Sequence, residues 1–126
     1  MNGARFFVAA GAVVLAAGVA LGAVGAHAAK SAPHPEAARL IQTAVLYQLV
    51  HGLGLVTVGI LARTSGPSRL LAASGGLMLA GAIAFCGSLY SLAFTTHSLG
   101  VVAPAGGTAF IAAWLALAAW ALRDAQ

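Results

Sequence analysis

Acidic residues are almost missing from this chain: Glu36 and Asp124 are its two carboxylates in 126 residues. Charged side chains of both signs make up only 6%, where a soluble domain carries roughly a quarter. That is too little charge to cover a surface in water, so lipid must be the solvent for most of this one. The single cysteine, Cys86, excludes a disulfide framework or a cysteine zinc site within one chain. Paired-carboxylate chemistry is excluded as well, because in a four-span threading the two acids lie on opposite sides of the membrane. Ser88 and Ser91 have no acid to orient a histidine base, so a serine nucleophile lacks its support. Cys86 sits in an apolar run, a setting in which thiols pack more than they react. With no strand expected, no phosphate-cradling loop is expected either. The chain is therefore not expected to be an enzyme.

The positive charge is also sparse. Arg5, Lys30, Arg39, Arg63, Arg69 and Arg123 each stand at or beyond the end of an apolar run, and none forms a cluster. Residues that fix membrane orientation are placed this way, and residues of a phosphate-binding patch are not, so no nucleic-acid partner is expected.

Long apolar runs are what the chain does have. Four of them, at about 6–26, 41–62, 70–94 and 99–122, contain no Asp, Glu, Lys or Arg. A helix of about 20 residues spans ~30 Å, the thickness of a bilayer core, and only helices or closed barrels satisfy their backbone there. Runs of this length without period-two alternation select helices. The expected fold is all-α, a four-helix transmembrane bundle forming one domain over 1–126. The bilayer is its first partner.

The first 29 residues also resemble a secretory signal peptide, with Arg5, an apolar stretch and a small-residue Ala26-His27-Ala28 segment. Signal cores run about 7–15 residues, shorter than this run, which favours a retained first span. Pro35-Glu36 is expected to start a short interfacial helix ahead of the second span. With four spans, Arg5, Arg63, Arg69 and Arg123 share one side, and Lys30 and Arg39 the other. The excess of basic residues puts both termini in the cytoplasm, with Trp120 as an interfacial anchor beside Arg123.

Small residues form stripes. Gly11, Gly18, Gly22 and Gly25 share one face of the first helix. Gly76, Ala80, Ala84, Gly87 and Ser91 make a second stripe on the third. In the second helix Ala44, Gln48, His51, Gly52, Leu55 and Gly59 lie opposite Leu46, Val50, Leu53, Thr57 and Ile60. Small residues let helix backbones approach in lipid, so the stripes predict tight packing within the bundle or, alternatively, a homo-oligomer or a contact with a membrane-protein partner.

The polar residues gather toward one side of the membrane. Threading puts His27, His34, Tyr47, Gln48 and His51 toward the first loop, together with Ser88, Tyr90, Ser91 and His97. His51 is the deepest, ten residues or ~15 Å beyond Ile41, near the bilayer midplane. Gln48 shares its face, and Tyr47 lies one turn away. Ionisable groups at such depth face protein or a water-filled cavity. Two roles are open for His51: a neutral imidazole bonded to a neighbouring helix through Ser88, Tyr90 or Ser91, or a member of a binding pocket made with His27, Lys30, Tyr47, Gln48, Ser88 and Tyr90. A metal held by His27, His51 and His97 has no supporting spacing motif, and neither a metal nor another cofactor is expected.

Several segments resemble one family. They are GAVGAHAAK (22–30), YQLVH (47–51), and FCGSLYSLAF followed by APAGGTAFIAAW within 85–114. The chain is similar over nearly its whole length to the small inner-membrane proteins catalogued as domain of unknown function 423, whose animal members are called transmembrane protein 256. His27 and Lys30 match the family's GAHALK-like segment, and Tyr47, Gln48 and His51 its YQxxH segment. Gly87, Ser88, Leu89 and Tyr90 match its GSLY segment, and Pro104, Gly106 and Gly107 its TPxGG-like segment. Ala29, Cys86 and Ala103 depart from the usual Leu, Ser and Thr, and His97 matches no family histidine. The resemblance implies a bacterial inner-membrane protein with four helices and an uncleaved first helix, and it implies no catalytic residues.

Overall fold

In the computed structural model, which describes residues 2–31 and 35–124, the four apolar runs are four long helices. α1 covers Gly3–Ala28, and a short 3-10 turn, Ala29–Ser31, follows it. α2 covers Ala37–Thr64. The third span is α3 (Arg69–Gly81), one widened π turn (Ala82–Cys86) and α4 (Gly87–Thr95). α5 covers Val102–Asp124. No strand occurs among the described residues. Each of the four spans is long and apolar enough to cross a membrane, the third as the continuous stretch Arg69–Thr95.

The observed helices extend the runs read from sequence, except at one point. The fourth run begins at Leu99 in sequence, but Gly100 takes a left-handed φ of 57° and the helix starts at Val102. Only a residue without a Cβ takes that conformation at little cost, so hydropathy alone places the start too early. Among the described residues Pro35 and Glu36 form a turn, and the helix that starts after them at Ala37 runs unbroken into the second span instead of forming a separate interfacial helix. His34 lies outside the described residues.

α2 is the centre of the bundle. It buries Ile41, Ala44, Gln48, His51, Gly52, Leu55, Val58 and Gly59 and leaves Leu46, Leu53 and Ile60 to the lipid. α1 lies along α2 and scarcely reaches α5. Its glycines explain how closely it sits. A Cβ at Gly11 would stand 2.8 Å from the carbonyl oxygen of Gly52. In return, a Cβ at Gly59 would stand 2.8 Å from the carbonyl oxygen of Ala4. Backbone meets backbone at both points, which larger residues forbid. Gly18 faces Leu49, Gly22 faces Val45 at an ordinary contact distance, and Gly25 faces Ile41.

The third span packs differently from its sequence stripe. Gly76 and Gly87 are exposed, and a Cβ at either would meet nothing within 4 Å. The buried face instead runs through Leu71, Ser74, Gly75, Met78, Gly81, Ala82 and Cys86. Here rings fill the glycine notches: Phe7 of α1 sits on Gly75, and Phe110 of α5 on Gly81. Gly106 of α5 lies against the backbone of Phe85. The core is layered along the bundle, with Phe7, Leu55, Val58, Leu71, Met78 and Ala113 at one end. Ala44, Ala82, Cys86 and Phe110 form the middle, and Ala37, Ile41 and Ala93 the other end. Trp120, expected at the interface, packs inward against the first of these layers. Its ring nitrogen is buried without a hydrogen-bond partner, as is the hydroxyl of Ser74.

Candidate functional site

Gln48 and His51 stand on the buried face of α2, three residues apart, and each ties α2 to other spans. The Gln48 amide donates from Nε2 to the carbonyl oxygen of Val14 in α1, at 2.9 Å. Its Oε1 accepts from the hydroxyl of Tyr90 in α4, at 2.7 Å. One side chain thus joins three helices at mid-bundle. The groove between α1 and the third span, about 340 Å³, has Gln48 and Tyr90 in its lining and Val13, Ala17 and Ile83 at its sides.

His51 uses both ring nitrogens. The indole Nε1 of Trp114 in α5 lies 3.0 Å from its Nε2, and the carbonyl oxygen of Tyr47 lies 2.7 Å from its Nδ1. An indole N–H can only donate, so Nε2 must be the acceptor. The ring proton then sits on Nδ1 and is donated to the Tyr47 carbonyl. This assignment follows from the network, and it requires the neutral imidazole. A charged ring would point a hydrogen at the indole N–H.

The imidazole is also stacked. Its ring lies 3.4 Å from that of Phe110 at an interplanar angle of 14°. Tyr47 lies 4.7 Å from Phe85 and 6.1 Å from Phe110 by ring centroids. Tyr47, His51, Phe85, Phe110 and Trp114 therefore form one aromatic cluster joining α2, the third span and α5. The tilted and edge-to-face pairs among them, Tyr47–Phe85, His51–Trp114 and Phe85–Phe110, add to simple burial.

Of the other residues expected in the pocket, Tyr90 joins Gln48, while Ser88, His27 and Lys30 do not reach the pair. The Ser88 hydroxyl does not reach His51 but donates to Ala84 of its own span, at 2.6 Å. A serine in a helix takes this local carbonyl readily, and the widened turn of 82–86 lies directly before it. Tyr90 bonds Gln48 and not His51, and the Ser91 hydroxyl donates to the carbonyl of His97. His27 and Lys30 are exposed at the end of α1 and in the turn after it, apart from the buried pair. His97 is exposed in the loop after α4. Among the described residues no three His, Cys, Asp or Glu side chains gather to hold a metal. Trp114, the partner that matters most to His51, escaped the sequence reading. Its chain separation of 63 residues leaves no local signal, although an indole on an otherwise lipid-facing helix was a cue.

A four-span membrane protein with a polar and aromatic tie at mid-bundle is the class that this geometry defines. The chain belongs to the family described as protein of unknown function (DUF423), whose pattern matches residues 21–107. It is similar to the UPF0382 membrane protein YwdK of Bacillus subtilis, 36% identical over 120 residues, which cover 94% of this chain and 98% of that one. A UPF0382 membrane protein of Staphylococcus haemolyticus is 38% identical over 114 residues, 90% of this chain and 92% of that one. A third, from Haemophilus influenzae, is 36% identical over 101 residues, covering 79% and 80%. No solved structure matches the chain.

Proposed function

We propose that this chain is a non-enzymatic structural or accessory component of the bacterial inner membrane. One observation carries the reading: the deepest polar side chains, Gln48 and His51, are consumed in bonds between spans. Neither ring nitrogen of His51 is left to take a proton from a substrate. Neither end of the Gln48 amide is left without a partner. Polar groups used in this way fix which helices meet and in what register, as interhelical hydrogen bonds do in lipid. The lipid-facing sides, including Ile83 and Ile111, remain for other membrane components.

A photo-crosslinking amino acid placed at Ile83 or Ile111 in cells tests this. A discrete membrane-protein adduct at one position, absent at the other, is expected. Lipid adducts alone at both positions, with a monomer after purification, would remove the reading. The same proposal places both termini in the cytoplasm, on the distribution of Arg5, Arg63, Arg69 and Arg123 against Lys30 and Arg39. Cysteines introduced at Ser65 and Ser31 should then react with a membrane-impermeant maleimide in intact spheroplasts only at Ser31. Labelling of Ser65 alone would invert the topology.

A further inference from the structure

One polar group of the mid-bundle region has no partner. The hydroxyl of Tyr47 makes no hydrogen bond, although its backbone carbonyl and its ring are both engaged. The side chain is 39% exposed, on the side of α2 that faces lipid. Tyr47 lies six residues, ~9 Å, beyond Ile41, well inside the hydrocarbon. Its ring packs beside Phe85 and Phe110 and lies nearly parallel to the His51 ring, at 15°. A phenolic O–H held in hydrocarbon without an acceptor is costly. Beside it is a recess of about 200 Å³ lined by Leu46, Tyr47, Val50 and His51.

We propose that this recess binds a lipophilic molecule whose flat ring carries a carbonyl oxygen, the chemistry of an isoprenoid quinone head group, with Tyr47 donating to that carbonyl. Three features select this class. The phenol can both donate and accept, and its O–H is satisfied only by an acceptor, which the ligand's carbonyl would supply; His51 offers none, since both its nitrogens are occupied. The recess, at about 200 Å³, is smaller than the roughly 300–1,000 Å³ of sites that enclose a whole drug-sized ligand. It suits one ring lying against the Tyr47 and His51 edges, with an apolar tail left along Leu46 and Val50. The acceptor must also be carried into the core. Phospholipid ester carbonyls remain at the edge of the ~30 Å hydrocarbon layer and do not reach this depth.

The test uses the full chain in nanodiscs and a ubiquinone analogue with a decyl tail. Trp114, whose ring lies 5.9 Å from that of His51, reports by fluorescence quenching. Saturable quenching is expected, with affinity falling about fivefold in Tyr47→Phe, the size of one lost hydrogen bond. Tyr47→Phe keeps the ring packing, so its thermal unfolding should match the parent. Decylbenzene, which has the tail and ring without carbonyls, should not compete. Quenching that never saturates, equal affinity in Tyr47→Phe, or equal competition by decylbenzene would each overturn the proposal.

Discussion

Tyr90 and Gln48 meet across 2.7 Å, phenol to amide oxygen, while the same amide holds Val14 of α1 from its nitrogen. α1 makes its other contacts almost wholly through apolar packing on α2. The Gln48 amide is therefore the one place where α1, α2 and α4 are fixed together by directional bonds among the described residues. Gln48→Leu removes both bonds and strands the Tyr90 hydroxyl. A loss of about 1–2 kcal/mol is expected, since single interhelical bonds in membranes are worth ~0.6 and at most ~1.7 kcal/mol. Tyr90→Phe should cost less, about 0.6 kcal/mol. The double variant should lose less than the sum of the singles, as partners do. Reversible unfolding in mixed detergent micelles measures all three. Equal stability of Gln48→Leu and the parent would show the amide to be a bystander.

The His51–Trp114 bond gives a second, independent test. Trp114→Phe keeps an aromatic ring but takes away the indole N–H that donates to Nε2 of His51. A buried acceptor left bare costs about 1–3 kcal/mol. Replacing both partners removes the orphan, so His51→Phe with Trp114→Phe should recover part of that loss. The stack on Phe110 favours this, because a phenyl ring can take the place of the imidazole there. If the double variant is less stable than Trp114→Phe alone, His51 contributes something beyond this bond.

Glycines of similar appearance in sequence should respond in opposite ways. Gly11→Ala puts a methyl 2.8 Å from the Gly52 carbonyl oxygen and 2.9 Å from the Val56 amide nitrogen, both backbone atoms that cannot step aside. Helix α1 must then lift from α2, and a loss of at least 1 kcal/mol is expected, typical of overpacking. Gly76→Ala and Gly87→Ala meet open space. They should be neutral or stabilising by up to about 1 kcal/mol, the intrinsic helix preference of alanine over glycine. Thermal inactivation in a single detergent compares the three directly. Strong destabilisation by Gly76→Ala would place a partner on that face.

The contrast between these glycines shows where sequence was informative. The number of spans and the buried face of α2 follow from hydrophobic length and a 3.6-residue period, which the sequence carries locally. Gln48 and His51 were legible for the same reason, since a polar residue in an apolar run has to face protein. The face of the third span was not. Its stripe is already off the contact line in the regular part of α3, where Gly76 and Ala80 are exposed while Gly75 and Gly81 are buried, and the widened turn at Ala82–Cys86 then breaks the period further along. Its real notches, Gly75 and Gly81, are set by rings from α1 and α5, information that lies elsewhere in the chain. Depth alone groups Ser88 and Tyr90 with His51. Depth fixes a level in the membrane but not a direction around the helix.

The widened turn itself makes the last prediction. A single π turn is one residue inserted into an α-helix, with the segments on either side keeping helical geometry. The insertion sets the angle at which α4 leaves α3, and with it the aim of Tyr90 at Gln48. Deleting Ile83, whose side chain faces lipid, should let the turn close to an ordinary α-helix while Tyr90 keeps its direction. Deleting Leu77 from the regular part of α3 has no such slack. It would turn every later residue by about 100°, carrying Tyr90 off Gln48 and Cys86 out of the core. The Ile83 deletion should therefore unfold near the parent temperature and still lose stability on Tyr90→Phe. The Leu77 deletion should be strongly destabilised and indifferent to Tyr90→Phe. If both deletions are equally harmful, the π turn is needed for its own shape and not for the phase that it sets.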